Sequence, residues 1–260
     1  LIGGQVLAFQ PHGQAPVLWM SAKSNYEAGK AIRGGIPVCW PWFGAHPSRP
    51  ELPMHGLARL MYWQVLGTEV APGGATRLRL VLRSGDCTRT SFTGEFELEL
   101  VVTVSAELRV ELITRNTGSE PFTISAALHS YFTVGDARQI VIHGLEGKEY
   151  LTKIGTPGRY PQVGPITITQ ETDRVYFKTA EEVTIEDPVY RRRIVVAKTG
   201  SRSTVVWNPW IEKSAKMPDF GDTEYQGMVC VESCNALDDS ITLPAGEVHR
   251  LQTHHRVLPL

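Results

Sequence analysis

The chain has 260 residues, of which 26 are Lys or Arg and 27 are Asp or Glu, for a formal net charge of −1. That balance excludes the basic surplus a nucleic-acid binder needs to neutralise phosphates, and the 6 Trp, 8 Tyr and 8 Phe exclude an acidic disordered chain. The 24 Gly and 17 Pro are too many for a helical bundle and suit many strands joined by turns, in a chain long enough to bury a large core without disulfide or metal staples.

In chain order, strands are expected first near 5–9 and 16–20. Segment 29–61 follows, rich in Gly, Pro and aromatics and poor in alternation. It reads as a long structured loop of the kind that carries function on sheet scaffolds. Leu78, Leu80 and Leu82 then alternate with Arg77, Arg79 and Arg83. Over Glu95–Val104, Phe96, Leu98, Leu100, Val102 and Val104 alternate with more polar neighbours. Leu108, Val110 and Leu112 make a third such face, opposed by Arg109 and Glu111. A period of two gives a strand with one buried face, and the short turn between the last two runs makes them antiparallel neighbours. Further strands are expected near 121–128, 139–143, 165–170, 190–198, 203–207, 226–232 and 247–256. No long segment has the apolar spacing of an amphipathic helix, and no composition break divides the chain. The expectation is all-β: a single domain over 1–260, built as a large antiparallel β-sandwich.

No run of ~18 apolar residues is present and no secretory leader pattern opens the chain, so no membrane span and a cytoplasmic location are expected. Cys39, Cys87, Cys230 and Cys234 are too few and scattered for a disulfide scaffold and read as buried free thiols. His249, His254 and His255 are clustered, but adjacent strand residues face opposite ways, so solvated or half-buried imidazoles are expected there rather than a metal site. Arg191, Arg192 and Arg193 read as a solvated strand edge. No phosphate loop, dinucleotide fingerprint, zinc-protease motif or nucleophile elbow occurs. No cofactor and no metal are expected.

Three constellations carry chemistry. In Ala31–Gly44 a Gly pair is followed by alternating Pro and aromatic residues, including Trp40 and Phe43. Such a stretch is either loop packing or an aromatic platform for a sugar ring. The second is Leu52–Arg59, with His55. Across 30–60, Lys30, Arg33, Arg49 and Arg59 stand against Glu51 alone, a local +3 that suits a small anionic ligand, since guanidiniums match phosphate or carboxylate oxygens. The third is split between Phe122–Phe132, where His129 enters an apolar strand, and Met228–Asn235, where Glu232 does the same. Buried ionisable groups are costly unless paired, which points to a shared pocket.

The phrases IRGGIPVCWPWFG, LPMHGLAR, ALHSYF, GLEGKEYLTK, TDRVY, WNPW and MVCVESCN occur in order from residue 32 to 235. Together they resemble the hexose-6-phosphate mutarotases of the aldose 1-epimerase superfamily. The resemblance implies a galactose-mutarotase-like β-sandwich with a concave sugar-binding face. It also implies cofactor-free interconversion of the α and β anomers of a hexose 6-phosphate, with glucose 6-phosphate foremost. A monomer is expected. His129 matches the family's catalytic histidine and Glu232 its catalytic glutamate. Arg33, His55, Arg59 and Asp173 match substrate contacts, the two arginines as phosphate ligands, and Trp40, Phe43 and Trp207 are expected to line the pocket. Met54 stands where some members have Gln, and Thr152 where many have Asp. Anomer exchange needs a base at the C1 hydroxyl and an acid at the ring oxygen, so Glu232 is expected ionised and His129 charged near neutral pH. An aldose 1-epimerase of unphosphorylated sugars, using the same pair, and a non-catalytic carbohydrate-binding sandwich remain the alternatives.

Overall fold

The structure is a computed structural model and describes residues 1–86 and 91–260. Its strands in chain order are β1 (Val38–Cys39), β2 (Gln64–Val70), β3 (Thr76–Arg83), β4 (Phe96–Val104), β5 (Leu108–Asn116), β6 (Phe122–Ile124), β7 (Ala126–Leu128), β8 (Tyr131–Thr133) and β9 (Val141–His143). They continue with β10 (Glu149–Thr152), β11 (Gly158–Pro161), β12 (Thr172–Phe177), β13 (Val183–Asp187), β14 (Arg192–Thr199), β15 (Ser203–Asn208), β16 (Met228–Asn235), β17 (Ile241–Leu243) and β18 (Val248–Pro259). One sheet has the order β1-β7-β16-β15-β12-β10-β11, with β8 also paired to β16. The other runs β2-β3-β4-β5-β18-β14-β13-β9. All these strand pairings are antiparallel. This is the expected all-β sandwich.

The core follows from the period of two. Leu80 and Leu82 of β3, Leu98, Leu100 and Val102 of β4, and Leu108, Val110 and Leu112 of β5 all point into one apolar cluster. Val229 and Val231 of β16 and Val206 of β15 meet them from the opposite sheet. The intervening residues of that second sheet face outward into a smaller cluster that includes Trp19, Tyr131, Val205, Trp207, Met228, Cys230 and Cys234. This outward face carries the site.

Several elements differ from expectation for identifiable reasons. Segments 5–9 and 16–20 form only isolated bridges, Val6 to Ile36, Leu18 to Phe132 and Met20 to Gly34. Segment 165–170 is not a strand, although Ile166 and Ile168 are buried in the core. The expected 121–128 strand breaks at Ser125, where the chain leaves β17 and joins β1 and β16. β2 carries no alternation signal because it is exposed along almost its whole length. One short helix, α1 (Trp210–Lys216), lies in the stretch between β15 and β16.

The arginine run is not a strand edge, although Arg191 is exposed and Arg193 half-buried as a solvated run would be. β14 lies between β13 and β18, and Arg192 is fully buried. Its guanidinium donates to the carbonyls of Ala15 (2.8 Å), Pro16 (3.0 Å) and Thr133 (2.7 Å), with the buried Asp187 3.7 Å away. Three carbonyl acceptors and a nearby buried carboxylate offset the cost of burying the charge, although its Nε has no hydrogen-bond partner among the described residues. His255 is also wholly buried, against the expectation of a wet or half-wet ring, whereas His249 and His254 are half-buried. Cys39, Cys230 and Cys234 are buried free thiols as expected, and Cys87 lies outside the described residues.

Candidate active site

The loop 29–61 is held against the strands by its glycines. Gly35 adopts a positive φ of 62° and its backbone lies so close to Val6 that a Cβ would sit 2.2 Å from the Val6 carbonyl oxygen. From there the Gly35 carbonyl accepts from Tyr131 N–H, and the Pro37 carbonyl accepts from His129 N–H. The bend between β7 and β8 is thereby fixed, and it carries His129. Glu232 projects from the middle of β16, whose residues are all buried.

The two side chains meet. His129 Nε2 lies 3.4 Å from Glu232 Oε1, with side-chain exposures of 8% and 1%. The His129 ring stacks on Tyr131 at 4.6 Å between centroids, nearly parallel at 8°, and meets Trp207 and Phe43 edge-on. His55 lies 5.6 Å from it, centroid to centroid. His55 Nδ1 accepts from Gly44 N–H (3.1 Å), which assigns the ring proton to Nε2. These groups floor a cavity of about 610 Å³, whose walls include Arg33, Phe43, Met54, Thr152, Lys153, Asp173, Trp207 and Lys213.

Burial governs the charge states. It pushes the Glu232 carboxyl well above the usual carboxylate range, helped by the charge of Asp173. Burial likewise pushes His129 well below the ordinary imidazole value, helped by His55, Arg33 and Arg59. Burial, helped by Arg59 and Arg33, lowers His55 to about 3. Burial therefore favours the neutral form of each group, a direction opposite to the ion pair expected from sequence. Desolvation disfavours both charged forms together, and the surrounding charges oppose each. The pair still holds one proton, which is a property of the couple rather than of either residue.

Asp173, on β12 opposite Trp207 of β15, sits on the pocket wall with Lys213 3.9 Å away. Burial raises its carboxyl and Lys213 opposes that rise. Phe43, His55 and Trp207 line the cavity as expected. Trp40 does not. It follows Cys39 on β1, and alternation turns Cys39 to the site face and Trp40 to the core, where its indole packs on Phe96 (4.3 Å) and Phe92 (5.1 Å).

The local +3 is only partly gathered at the pocket. Lys30 pairs with Glu27 at 2.8 Å, and Arg49 donates to the Ser91 carbonyl. Arg33 lines the cavity, but Asp219 holds it through Nε (3.1 Å) and Nη2 (3.0 Å), while Nη1 donates to the Tyr131 hydroxyl (3.0 Å). Arg59 is not among the residues that line the cavity; one Nη donates to the Met54 carbonyl and its buried Nε has no partner among the described residues. Sequence reasoning missed Lys153 and Lys213, which add positive charge to the walls. Lys153 stood inside a quoted motif; Lys213 is on the unforeseen helix α1 and had no pattern to reveal it. Asp219, just beyond that helix, likewise had no pattern to reveal it.

The two facing sheets and the concave site on one of them define a galactose-mutarotase-like sandwich. A galactose mutarotase-like protein of Clostridium acetobutylicum shares the fold with a TM-score of 0.77 over 100% of this chain and 90% of its own, at 16% identity. The aldose 1-epimerase family model matches residues 1–256, and the chain belongs to that family. A Cenchrus ciliaris protein named "putative glucose-6-phosphate 1-epimerase" is 35% identical over 259 residues, covering 96% of this chain and 78% of its own. An Escherichia coli K12 protein of the same name is 31% identical, covering 97% of this chain and 84% of its own. A Salmonella typhimurium crystal structure described as a "putative mutarotase" superposes with a TM-score of 0.92 at 30% identity, over 100% of this chain and 85% of that one.

Proposed function

We propose that the chain interconverts the α and β anomers of a hexose 6-phosphate, with D-glucose 6-phosphate as the foremost candidate, using His129 and Glu232 as the proton-transfer pair. The carrying observation is the 3.4 Å approach of His129 Nε2 and Glu232 Oε1 at the floor of a sugar-sized cavity with cationic walls. A pyranose opens when its C1 hydroxyl loses a proton and its ring oxygen gains one, so a couple that holds one proton can do both at once. A C1 hydroxyl donating to Glu232 favours its carboxylate and draws the shared proton to His129, which faces the ring oxygen. Opening returns a proton to Glu232 and leaves both groups neutral, the state that burial prefers. Rotation about C1–C2 and reclosure by the reverse transfers give the other anomer.

Asp173 accepts from a ring hydroxyl and fixes the sugar's orientation. Arg33 and Arg59, joined by Lys153 and Lys213, hold the phosphate, and that remote binding energy positions C1 between the pair. One observation favours a second reading, the unphosphorylated aldose: Asp219 already neutralises Arg33. NMR exchange between anomers, run with glucose and with glucose 6-phosphate, separates the readings. Faster acceleration of the 6-phosphate is expected, along with loss of at least ~100-fold in His129→Asn. Acceleration of glucose alone overturns the phosphate assignment, and acceleration of neither leaves a carbohydrate-binding sandwich.

A further inference from the structure

The floor of the pocket holds more ligating chemistry than proton transfer uses. Cys230 stands two residues before Glu232 on β16 and therefore shares its face. A ring nitrogen of His129, the Cys230 sulfur and a Glu232 carboxylate oxygen all lie within 4.8 Å of one another, and all three residues are buried. Within this group His129 Nδ1 and Glu232 Oε2 are buried with no hydrogen-bond partner among the described residues. Orphaned polar atoms at nearly complete burial are costly, and here they converge with a thiol in one place.

We propose that His129, Cys230 and Glu232 form a binding site for a zinc-class divalent cation, whose occupancy blocks the sugar reaction. The inhibitory half of this inference rests on the pair's role proposed above; the binding half does not. Zinc bonds of ~2.0 Å to nitrogen and oxygen and ~2.3 Å to sulfur set tetrahedral ligand atoms about 3.3–3.8 Å apart. A set already within 4.8 Å reaches that spacing by small side-chain rotations. Binding replaces the S–H bond of Cys230 by a zinc–thiolate bond and the O–H bond of Glu232 by a zinc–carboxylate bond, releasing both protons to solvent; no electrons are transferred. Water takes the fourth position from the pocket side.

The surroundings decide which ion fits. Arg33 and Arg59 act on His129 as repelling charges, and their field disfavours any cation held by charge alone. Thiolate and imidazole bonds overcome that field for zinc, cadmium or cobalt(II). Magnesium and calcium, which take oxygen ligands, gain nothing from them. Zinc also removes the repulsion between Asp173 and an ionised Glu232. A sugar placed against His129 and Glu232 and a metal on the same two side chains exclude each other, so the inhibition is competitive.

The test uses the whole chain with zinc, cobalt(II) or magnesium chloride as probe. Zinc affinity is measured without sugar, by competition with a chromophoric chelator, for wild type, Cys230→Ser and Cys230→Ala. Cobalt(II) is added to look for thiolate charge-transfer absorption. Anomer exchange is then followed with and without zinc, each protein being compared with its own metal-free rate. The expected result is one zinc per chain with cobalt–thiolate absorption. Both Cys230 variants should bind zinc at least ~10-fold more weakly, a loss not smaller than that for an outer-shell partner, with competitive inhibition by zinc and none by magnesium. Equal zinc affinity in wild type and both variants, or cobalt binding without thiolate absorption, overturns the site. Zinc bound through Cys230 by a protein that accelerates no anomer exchange overturns the proposed function and leaves the metal site standing.

Discussion

Replacing Glu232 by Gln separates what the carboxyl does for catalysis from what it does to stability. The side chain is 1% exposed, its Oε1 faces His129 Nε2 at 3.4 Å, and Oε2 has no partner. Gln keeps the shape and removes the proton exchange, so the anomer exchange rate should fall by ~10²–10⁴-fold, equivalent to about 3–5 kcal/mol of barrier. Stability should move the other way with pH. The folded carboxyl binds its proton more tightly than the unfolded one. Its stabilising contribution is therefore complete below the unfolded value near ~4.5 and is lost as pH rises toward the folded value, at ~1.4 kcal/mol per pH unit. Gln does not titrate and escapes this loss, although its buried amide N–H groups cost about 1–3 kcal/mol if unmet. The variant should thus be no more stable than wild type at acidic pH. It should gain on wild type by about 3–6 °C in Tm per pH unit above that point, using the scaling for a chain of this size. Anomer exchange by NMR and thermal unfolding across the pH range measure both effects. Turnover within a few-fold of wild type, or a Tm gap that stays flat with pH, would refute the account of Glu232 as a desolvated proton carrier.

Arg59→Ala should raise KM for glucose 6-phosphate by about 10–100-fold, the worth of a charge-assisted hydrogen bond, and leave the constants for glucose almost unchanged; equal effects on both sugars would remove Arg59 from phosphate binding. His255, wholly buried and lowered to about 3 by burial, makes the fold acid-sensitive. Stability should decline as pH falls from about 6.5 toward 3 by up to ~1.4 kcal/mol per unit, and His255→Gln should flatten that decline in denaturant titrations at two pH values. Gly56 and Gly44 both have positive φ, at 77° and 81°, yet only at Gly56 would a Cβ meet the Trp40 carbonyl oxygen, at 2.1 Å. Gly44→Ala should cost about 1 kcal/mol in urea unfolding, Gly56→Ala clearly more, and equal costs would show that the loop yields at Trp40.

What the sequence made legible, and what it did not, follows from how far a signal reaches along the chain. The faces of β3, β4 and β5 could be read because alternation is local and strong. His129 and Glu232 could be found because an ionisable residue inside an apolar strand is anomalous wherever its partner lies. Trp40 was misplaced by one step of parity: it directly follows the two-residue strand β1, where neighbouring side chains face opposite layers and composition does not choose between them. Ile166 and Ile168 are buried as a strand would bury them, but the backbone there makes only a bridge to Ile142. The Asp219 clamp on Arg33 joins positions 186 residues apart and has no periodic trace. Arg192 looked solvated because a run of three arginines reads as surface; its carbonyl partners at Ala15, Pro16 and Thr133 come from elsewhere in the chain. The charge states of the His129–Glu232 couple depend on burial and on charges drawn from three separate segments, so residue identity alone reversed them.

β16 has hydrogen-bonded neighbours on both edges, β15 on one and β7 and β8 on the other, and none of its residues reaches solvent. Its amide hydrogens can exchange with water only through the largest openings of the molecule, whereas the rim at the exposed Met54 can open locally at much lower free energy. On the proposed function, a hexose deforms the rim on entry and leaves again many times while the His129–Glu232 spacing is maintained by this buried strand, paired on both edges. On the same proposal, drift in the rim loops changes which sugar is admitted without disturbing the proposed proton transfer beneath it.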